Sequence, residues 1–356
     1  MKIAIITDQH FDARNSSLTF SNYFKKFYDE IFFPHLKHEK IDTILDLGDT
    51  FDRRKYVNFN ILQETKTYYF DKIKAENIQL ISLVGNHTSY FKNTLYPNTL
   101  RTLLSEYPIT IVEEPIDMMF GNLKIALIPW ICDDNRERIL THIKNSTAPI
   151  CAGHFELSGF QMHKGSIPHK DGFNQNLLNN FQAIFSGHFH HRSNNGRIFY
   201  LGAPYEMTWA DYDDPKGYHI FDTDTKQLDF FENPFKIFKK FEYDDTGMDV
   251  SEILNTDFSE FSNSYLKILV KNNSNPYTFD LFINAVEQYN PLDIQIFHDL
   301  VSFNTDEPET EEEITENIED TLGMMKTYIN QSGTKNAKQL TAYMTNLYHK
   351  ALLMEE

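Results

Sequence analysis

Aspartate, asparagine and histidine recur in this chain in five short groups that follow one order. The groups are Asp8-Gln9-His10, Gly48-Asp49-Thr50-Phe51-Asp52, Gly85-Asn86-His87, Gly153-His154 and Gly187-His188-Phe189-His190. Carboxylate, amide and imidazole together are the donors that a pair of divalent ions takes. Two such ions about 3.5–4 Å apart polarise a phosphoryl oxygen, make a hydroxide nucleophile available near neutral pH and neutralise the leaving oxygen. A pair of this kind needs a shared carboxylate, and Asp49 is the natural bridge. Asp8, His10 and His190 can complete one site, and Asn86, His154 and His188 the other. Asp8/His10 and His188/His190 are spaced i, i+2, so each pair shares one side of an extended segment. His87 is left without a coordination duty and is the candidate proton donor or charge clamp for the leaving oxygen. No cysteine ligand accompanies these groups, which argues against structural zinc. The mixture suits two manganese ions, with magnesium or iron possible.

The elements that must carry these groups are readable beside them. Each group follows a strand-like run: residues 3–6, 43–45, 80–84, 149–152 and 183–185. Short β-branched runs bounded by Gly or Asp are the pattern of buried strands. In layered α/β proteins ligands bind beyond the carboxyl ends of such strands, where loops converge polar groups. Phe20, Phe24, Phe27 and Ile31 fall at helical spacing, as do apolar residues between Ile61 and Ile73, and these stripes belong to the core. After His190, runs at 198–201, 218–221 and 228–231 follow without helices between them, which predicts antiparallel closure. The fold class expected is α/β, a four-layer α/β/β/α sandwich over residues 1–242.

At 356 residues the chain is too long for one ordinary core. Tyr265–Lys271 reads as a strand, 276–288 as a helix with proline in its first turn, and 292–297 as a strand, a β-α-β capping domain within 243–303. Six acidic residues lie within 304–313, the composition of a solvated linker. Beyond it, residues 314–356 carry two amphipathic stripes, one through Ile318, Leu322 and Met325, the other through Leu340, Met344 and Leu347, separated by Ser332-Gly333. A helical hairpin with faces this apolar predicts a partner interface of the helix-in-groove kind, the alternative being that it docks on its own catalytic domain. The formal net charge of −18 excludes a broadly basic surface. Cys132 and Cys151 have no metal or disulfide spacing and are expected reduced and packed, in a cytoplasmic protein. The amino terminus is too short in apolar residues for a signal segment, and no run approaches the roughly 18 residues of a membrane span. His35, His38, His142, His298 and His349 are expected at the periphery, whereas His163, His169 and His191 flank the proposed site.

In this order the motifs Asp-x-His, Gly-Asp-x-x-Asp, Gly-Asn-His, Gly-His and Gly-His-x-His resemble the calcineurin-like metallophosphoesterase superfamily, over residues 3 to about 192. Within it the chain resembles the SbcD-type DNA nuclease subunits, especially the recombination endonuclease subunits of tailed phages. Leu127-Ile128-Pro129-Trp130, residues 153–160, Tyr200-Leu201-Gly202-Ala203-Pro204 and Asp214-Pro215-Lys216-Gly217-Tyr218 carry that added likeness. The resemblance implies a manganese-dependent exonuclease on duplex ends and single-strand endonuclease, acting in DNA recombination and repair. It implies a coiled-coil ATPase partner of the SbcC type, gripped by the tail, a homodimer, and the host cytoplasm if the chain is phage-encoded. Where the family usually has an acidic residue after Gly-Asn-His the chain has Thr88, and Asp12 stands where Gly is common; Asp52 is then the candidate acceptor for His87. Arg53, Arg54, Lys55, Lys92, Lys164 and Arg192 lie in loops after the ligand groups and are candidates for DNA phosphate contacts that fix position without reading sequence. A phosphatase acting on protein or nucleotide is the alternative, since Gly48–Arg53 approaches a phosphatase motif but Arg54 replaces its last glycine. The third reading is a scaffold with a decayed site.

Overall fold

The computed structural model describes residues 1–247 and 250–298, together with the single residues 300 and 344. The expected linker at 304–313 and tail at 314–356 lie outside them, with Ile318, Leu322, Met325, Leu340 and Leu347; Met344 alone is described, as helical. Met1–Thr305 forms one compact unit.

Fifteen strands occur among the described residues: β1 (Lys2–Ile6), β2 (Thr43–Asp46), β3 (Gln79–Leu83), β4 (Ile109–Val112), β5 (Ile116–Phe120), β6 (Leu123–Ile128), β7 (Ile150–His154), β8 (Ala183–Gly187), β9 (Ser193–Asn194), β10 (Ile198–Tyr200), β11 (Gly217–Asp222), β12 (Leu228–Glu232), β13 (Phe238–Asp244), β14 (Tyr265–Asn272) and β15 (Asp293–Phe297). One sheet has the order β12-β11-β1-β2-β3-β4, the second β5-β6-β7-β8-β10-β9, and a small third sheet β13-β14-β15. The ligand-bearing strands β1, β2 and β3 are parallel neighbours in the first sheet, and β7 and β8 in the second.

Alternation along these strands builds the layers. Ile3 and Ile5 of β1, Leu45 of β2, Ile150 and Ala152 of β7 and Phe185 of β8 meet in one apolar layer between the two sheets. The intervening residues face outward: Ala4, Ile6 and Ile44 into the aromatic helices 18–39 and 59–75, Cys151 and Ile184 into helix Arg136–Asn145 and the loops beside it. Strands with two apolar faces cannot stand at a surface, so helices must cover both sides. The result is the four-layer sandwich. Both cysteines are buried and unbonded. Among the described residues no helix is long and apolar enough to cross a membrane.

Several elements differ from expectation. The strands β4 and β5 went unread because they are partly exposed and their apolar pattern is mixed. Of the three runs expected antiparallel, β11 and β12 are so, but β10 runs parallel to β8, because the short β9 hairpin turns the chain back once before β10 pairs. Among the described residues β13 pairs only with β14, so the position between 242 and 243 falls within a strand of the third sheet, which starts at Phe238. Both aromatic helices contain a π-helical turn, Tyr28–Phe32 and Lys66–Phe70. Each wider turn swings tyrosines inward, and Tyr28, Tyr68 and Tyr69 pack around the Phe11 ring with centroids 5.3–5.9 Å away. Phe11 follows His10 directly, so this plug anchors the first ligand loop. Such π turns recur beside functional sites.

Candidate metal centre

All five groups sit where the strands end. Asp8 and His10 follow β1, Asp49 and Asp52 follow β2, Asn86 and His87 follow β3, His154 closes β7, and His188 and His190 follow β8. Four of them hold left-handed backbone: Asp8 (φ 52°), His10 (43°), Asp49 (53°) and His188 (87°). A non-glycine residue there costs on the order of 1–3 kcal/mol and persists only where its surroundings impose it. Here the first two loops are laced together, Asp8 N to Gly48 O at 3.0 Å, His10 N to Asp49 O at 2.9 Å and Phe11 N to Thr50 O at 2.9 Å. Gln9, between two of the strained residues, receives the Tyr28 hydroxyl on its Oε1 at 2.6 Å and the Tyr205 hydroxyl on its carbonyl at 2.5 Å. Asp12 takes φ 76°, a turn conformation aspartate tolerates, and its Oδ2 accepts from Asn58 N at 3.0 Å. Two glycines leave the room the ligands need. A Cβ on Gly85 would lie 2.6 Å from Asp49 N and nearer still to Asp49 Oδ1; one on Gly187 would strike Thr7 Oγ1 and lie 3.1 Å from Asp8 Oδ2.

The side chains gather in two largely buried groups, and a third, His10, Asp52 and His87, overlaps the first. In the first, donor atoms of Asp8, His10 and His190 lie within 4.8 Å of one another; in the second, those of Asp49, His154 and His188 do. Asn86 Oδ1 joins the second, 3.0 Å from His154 Nε2 and 3.0 Å from His188 Nδ1. His154 Nε2 is also 3.0 Å from Asp49 Oδ2. Its Nδ1 lies 2.8 Å from the Leu47 carbonyl, which only accepts, so Nδ1 carries the proton and Nε2 presents a lone pair. His10 Nδ1 likewise faces the Asp52 carboxylate at 2.9 Å, turning Nε2 toward His190 Nε2 at 3.1 Å. Lone pairs and carboxylate oxygens thus converge without donors to match them, the arrangement a cation satisfies. The donor set fits divalent metal ions.

Burial disfavours charge on His10 and His154, yet Asp52 beside the first and Asp49 beside the second push both up to about 9, so a metal ion binding at their Nε2 atoms would displace a proton from each. Burial also pushes the Asp8 carboxyl up, whereas at Asp49 burial is outweighed by the neighbouring His154 and His87, which hold it well below the usual range. His188 and His190 are kept neutral, by burial first and then by His154 and His10 respectively. Neutral imidazole is the ligating form.

His87 adjoins both groups. Its N–H donates to Asp49 Oδ1 at 2.8 Å and its Nδ1 lies 2.6 Å from the Asp52 carbonyl oxygen. Asp52 therefore accepts from His87 through its backbone, not through the carboxylate expected to do so; the carboxylate orients His10 instead. Thr88 stands in for the missing acid as a turn former: its Oγ1 accepts from Gly85 N at 2.9 Å and donates to Gly85 O at 3.1 Å.

Of the cationic candidates, Arg53 donates to Asn15 Oδ1 at 2.8 Å and lies 5.0 Å over the Tyr56 ring. Lys55 and Lys92 are exposed and Arg54 is half-buried. Lys164 is paired with Asp213 at 2.8 Å, and exposed Arg192 lies over Phe230. His163 approaches the first group, its ring 6.5 Å from that of His190, while His191 pairs with Asp214 at 2.9 Å and His169 Nε2 lies 2.8 Å from Glu156. Sequence reasoning passed over Asp46. This buried carboxyl, pushed up to about 7 by burial, accepts from Thr50 Oγ1 and Ser82 Oγ at 2.7 Å and from Gly48 N at 3.1 Å, tying the Asp49 loop to β3. Its only signal was a charge inside an apolar strand.

Comparison with known proteins agrees with this geometry. The chain is 33% identical over 235 residues to exonuclease subunit 1 of Enterobacteria phage T4, covering 66% of each. It is 24% identical over 224 residues to the SbcD subunit of the SbcCD nuclease of Staphylococcus epidermidis, covering 54% of this chain and 59% of that protein. The match thus spans somewhat under two thirds of these relatives' lengths. A solved archaeal phosphodiesterase aligns over 65% of this chain and 100% of its own, with 13% identity and a TM-score of 0.32. The profile of the calcineurin-like phosphoesterases matches residues 1–192, more than half of the chain, and the protein belongs to that family.

Proposed function

We propose that the protein is a manganese-dependent DNA nuclease, an exonuclease on duplex ends and an endonuclease on single strands, serving recombination or repair as one component of an SbcCD-type complex. The observation that carries this reading is the pair of buried donor groups closed by Asp49 and flanked by His87. The names of the phage and staphylococcal relatives turn it from phosphoester hydrolysis in general toward DNA. Asp8, His10 and His190 would hold one divalent ion, and Asn86, His154 and His188 the other, with Asp49 shared. Bound there, such ions polarise the phosphodiester and neutralise charge on the leaving oxygen. The chain's own residues do the rest. Asp52 and the Leu47 carbonyl fix the tautomers of His10 and His154, so both aim Nε2 inward. The Asp52 carbonyl fixes His87 in the same way, with its proton on Nδ1 and Nε2 directed away from that carbonyl. Once protonated, His87 can give a proton to the departing oxygen. Arg53, Arg54, Lys55 and Lys92 would contact phosphates of the bound strand. The ATPase partner would engage the carboxyl-terminal tail, two copies would pair, and the complex would work in the cytoplasm of the host.

End-labelled linear duplex incubated with manganese, with magnesium and with chelator tests this directly. Manganese-dependent shortening that disappears in Asp49→Ala is expected. Intact DNA together with hydrolysis of an aryl phosphate monoester would move the reading to a phosphatase.

A further inference from the structure

Lys216 lies among the most deeply buried cations described, 2% exposed. A buried ammonium is costly unless each of its protons finds a partner. Here all three do: Asp211 Oδ1 at 2.7 Å, Asp214 Oδ2 at 2.9 Å and the His190 carbonyl at 2.7 Å. The two carboxylates are themselves built in. Asp211 Oδ2 accepts from Met207 N and Thr208 N at 2.9 and 3.0 Å, and Asp214 Oδ1 faces His191 Nδ1 at 2.9 Å. The second position on the His190 carbonyl is taken by Ala203 N at 3.2 Å. The segment from His188 to His191 is therefore pinned at both ends, at its start by Asp8, which accepts His188 N at 3.0 Å, and at its end by Lys216 and Asp214.

We propose that Lys216 is a positioning residue for His190, its ammonium setting the backbone from which that imidazole reaches the site shared with Asp8 and His10. The proposal rests on the ligand assignment made above. A charged donor on a carbonyl is short and strong, and it fixes the peptide whose Cα carries the ring. Nothing comparable on Lys216 touches Asn86, His154 or His188, so the effect should be confined to one of the two ions.

Manganese titration of the full-length chain, read by the electron paramagnetic resonance of the free ion, tests this without any reaction. The unaltered chain is expected to take two ions. Lys216→Met should keep one affinity unchanged and weaken the other by about 10–100-fold, the usual effect of removing a group that orients a ligand. Combining it with His190→Ala should add nothing to the loss that His190→Ala causes alone. Should Lys216→Met not fold, Lys216→Met with Asp211→Asn and Asp214→Asn leaves no charge unpaired and takes its place. Equal weakening of both ions, unchanged affinities, or additive losses in the combined variant would overturn the role of Lys216. Failure of the unaltered chain to bind manganese would instead overturn the ligand assignment, and the proposal with it.

Discussion

Gly85→Ala is the smallest change that should disable the centre. A methyl built on Gly85 lies 2.6 Å from Asp49 N and 2.8 Å from Asp49 Cγ, where carbon atoms in proteins rest about 3.5–4.0 Å apart. The carboxylate must therefore retreat by roughly 1 Å, and it cannot do so freely. Its Oδ1 is held by His87 N at 2.8 Å and its Oδ2 faces His154 Nε2 at 3.0 Å. Displacement of the shared ligand by that distance should lower turnover by about 10²-fold or more. Overpacking a site this tight should cost about 1–3 kcal/mol of stability, leaving the protein folded. The assays are nucleotide release in manganese, calorimetric manganese titration and thermal melting of the same preparation. Near-normal turnover with both ions bound would refute the proposed sharing of Asp49 between the two ions. Loss of activity together with collapse of the melting transition would show that the methyl harms the fold instead of the centre.

Other consequences can be checked in parallel. Asp52→Asn removes the charge that holds the His10 tautomer and should weaken one ion by about 10–100-fold in titration, with the second unaffected. His87→Ala should leave both manganese affinities within a few-fold and slow turnover by about 10²–10⁴, the share of a general acid; retained turnover would remove that assignment. Glu206 is not one of these groups; it is 1% exposed and accepts Ile237 N and Phe238 N at the start of the third sheet, and burial pushes its carboxyl to about 7. Its pKa is raised on folding, so its stabilising effect is complete below about 4.5 and is lost as pH rises through about 7, up to roughly 3 kcal/mol. Glu206→Gln should flatten the decline of melting temperature between those pH values, and parallel curves for the two proteins would contradict this.

The donor groups were legible because strand ends constrain sequence sharply. A ligand must follow an apolar run at once, which made the five groups readable; the shared strand face expected of Asp8/His10 and His188/His190 does not form, because Asp8, His10 and His188 lie past the strand ends in left-handed backbone. The layers were legible for a similar reason, since Ile3 to Ile6 and Ile150 to Ala152 are apolar on both faces. What escaped is whatever depends on a partner distant in sequence. Lys216 and Asp46 look like ordinary polar residues until the chain folds and gives each of them three partners. The tautomer of His154 depends on a carbonyl 107 positions earlier. The π turns escaped because one added residue in a turn leaves the spacing of a nearly all-aromatic stripe intact. The third sheet was read one strand short because Phe238–Asp244 alternates weakly and its parallel partner begins only at Tyr265.

The choice of ligand types also answers how so acidic a chain would attract the polyanion proposed as its substrate. With 51 acidic against 33 basic side chains, long-range attraction cannot come from the surface as a whole. Among the seven proposed ligands only Asp8 and Asp49 would bring charge to a bound ion, because the four imidazoles ligate in their neutral form and the Asn86 amide is neutral. Two divalent ions held by two carboxylates leave the centre net positive; a ligand set built from four or more carboxylates would cancel that charge. Imidazole and amide keep it, and bound ions of this kind dominate the local field at a phosphate. Binding of DNA should then depend on metal before it depends on lysine and arginine. Electrophoretic mobility shifts are expected to disappear with chelator or in Asp49→Ala, and only to weaken when Arg53 and Lys55 are reversed to glutamate. Undiminished binding in chelator would place the attraction elsewhere on the molecule and refute the argument.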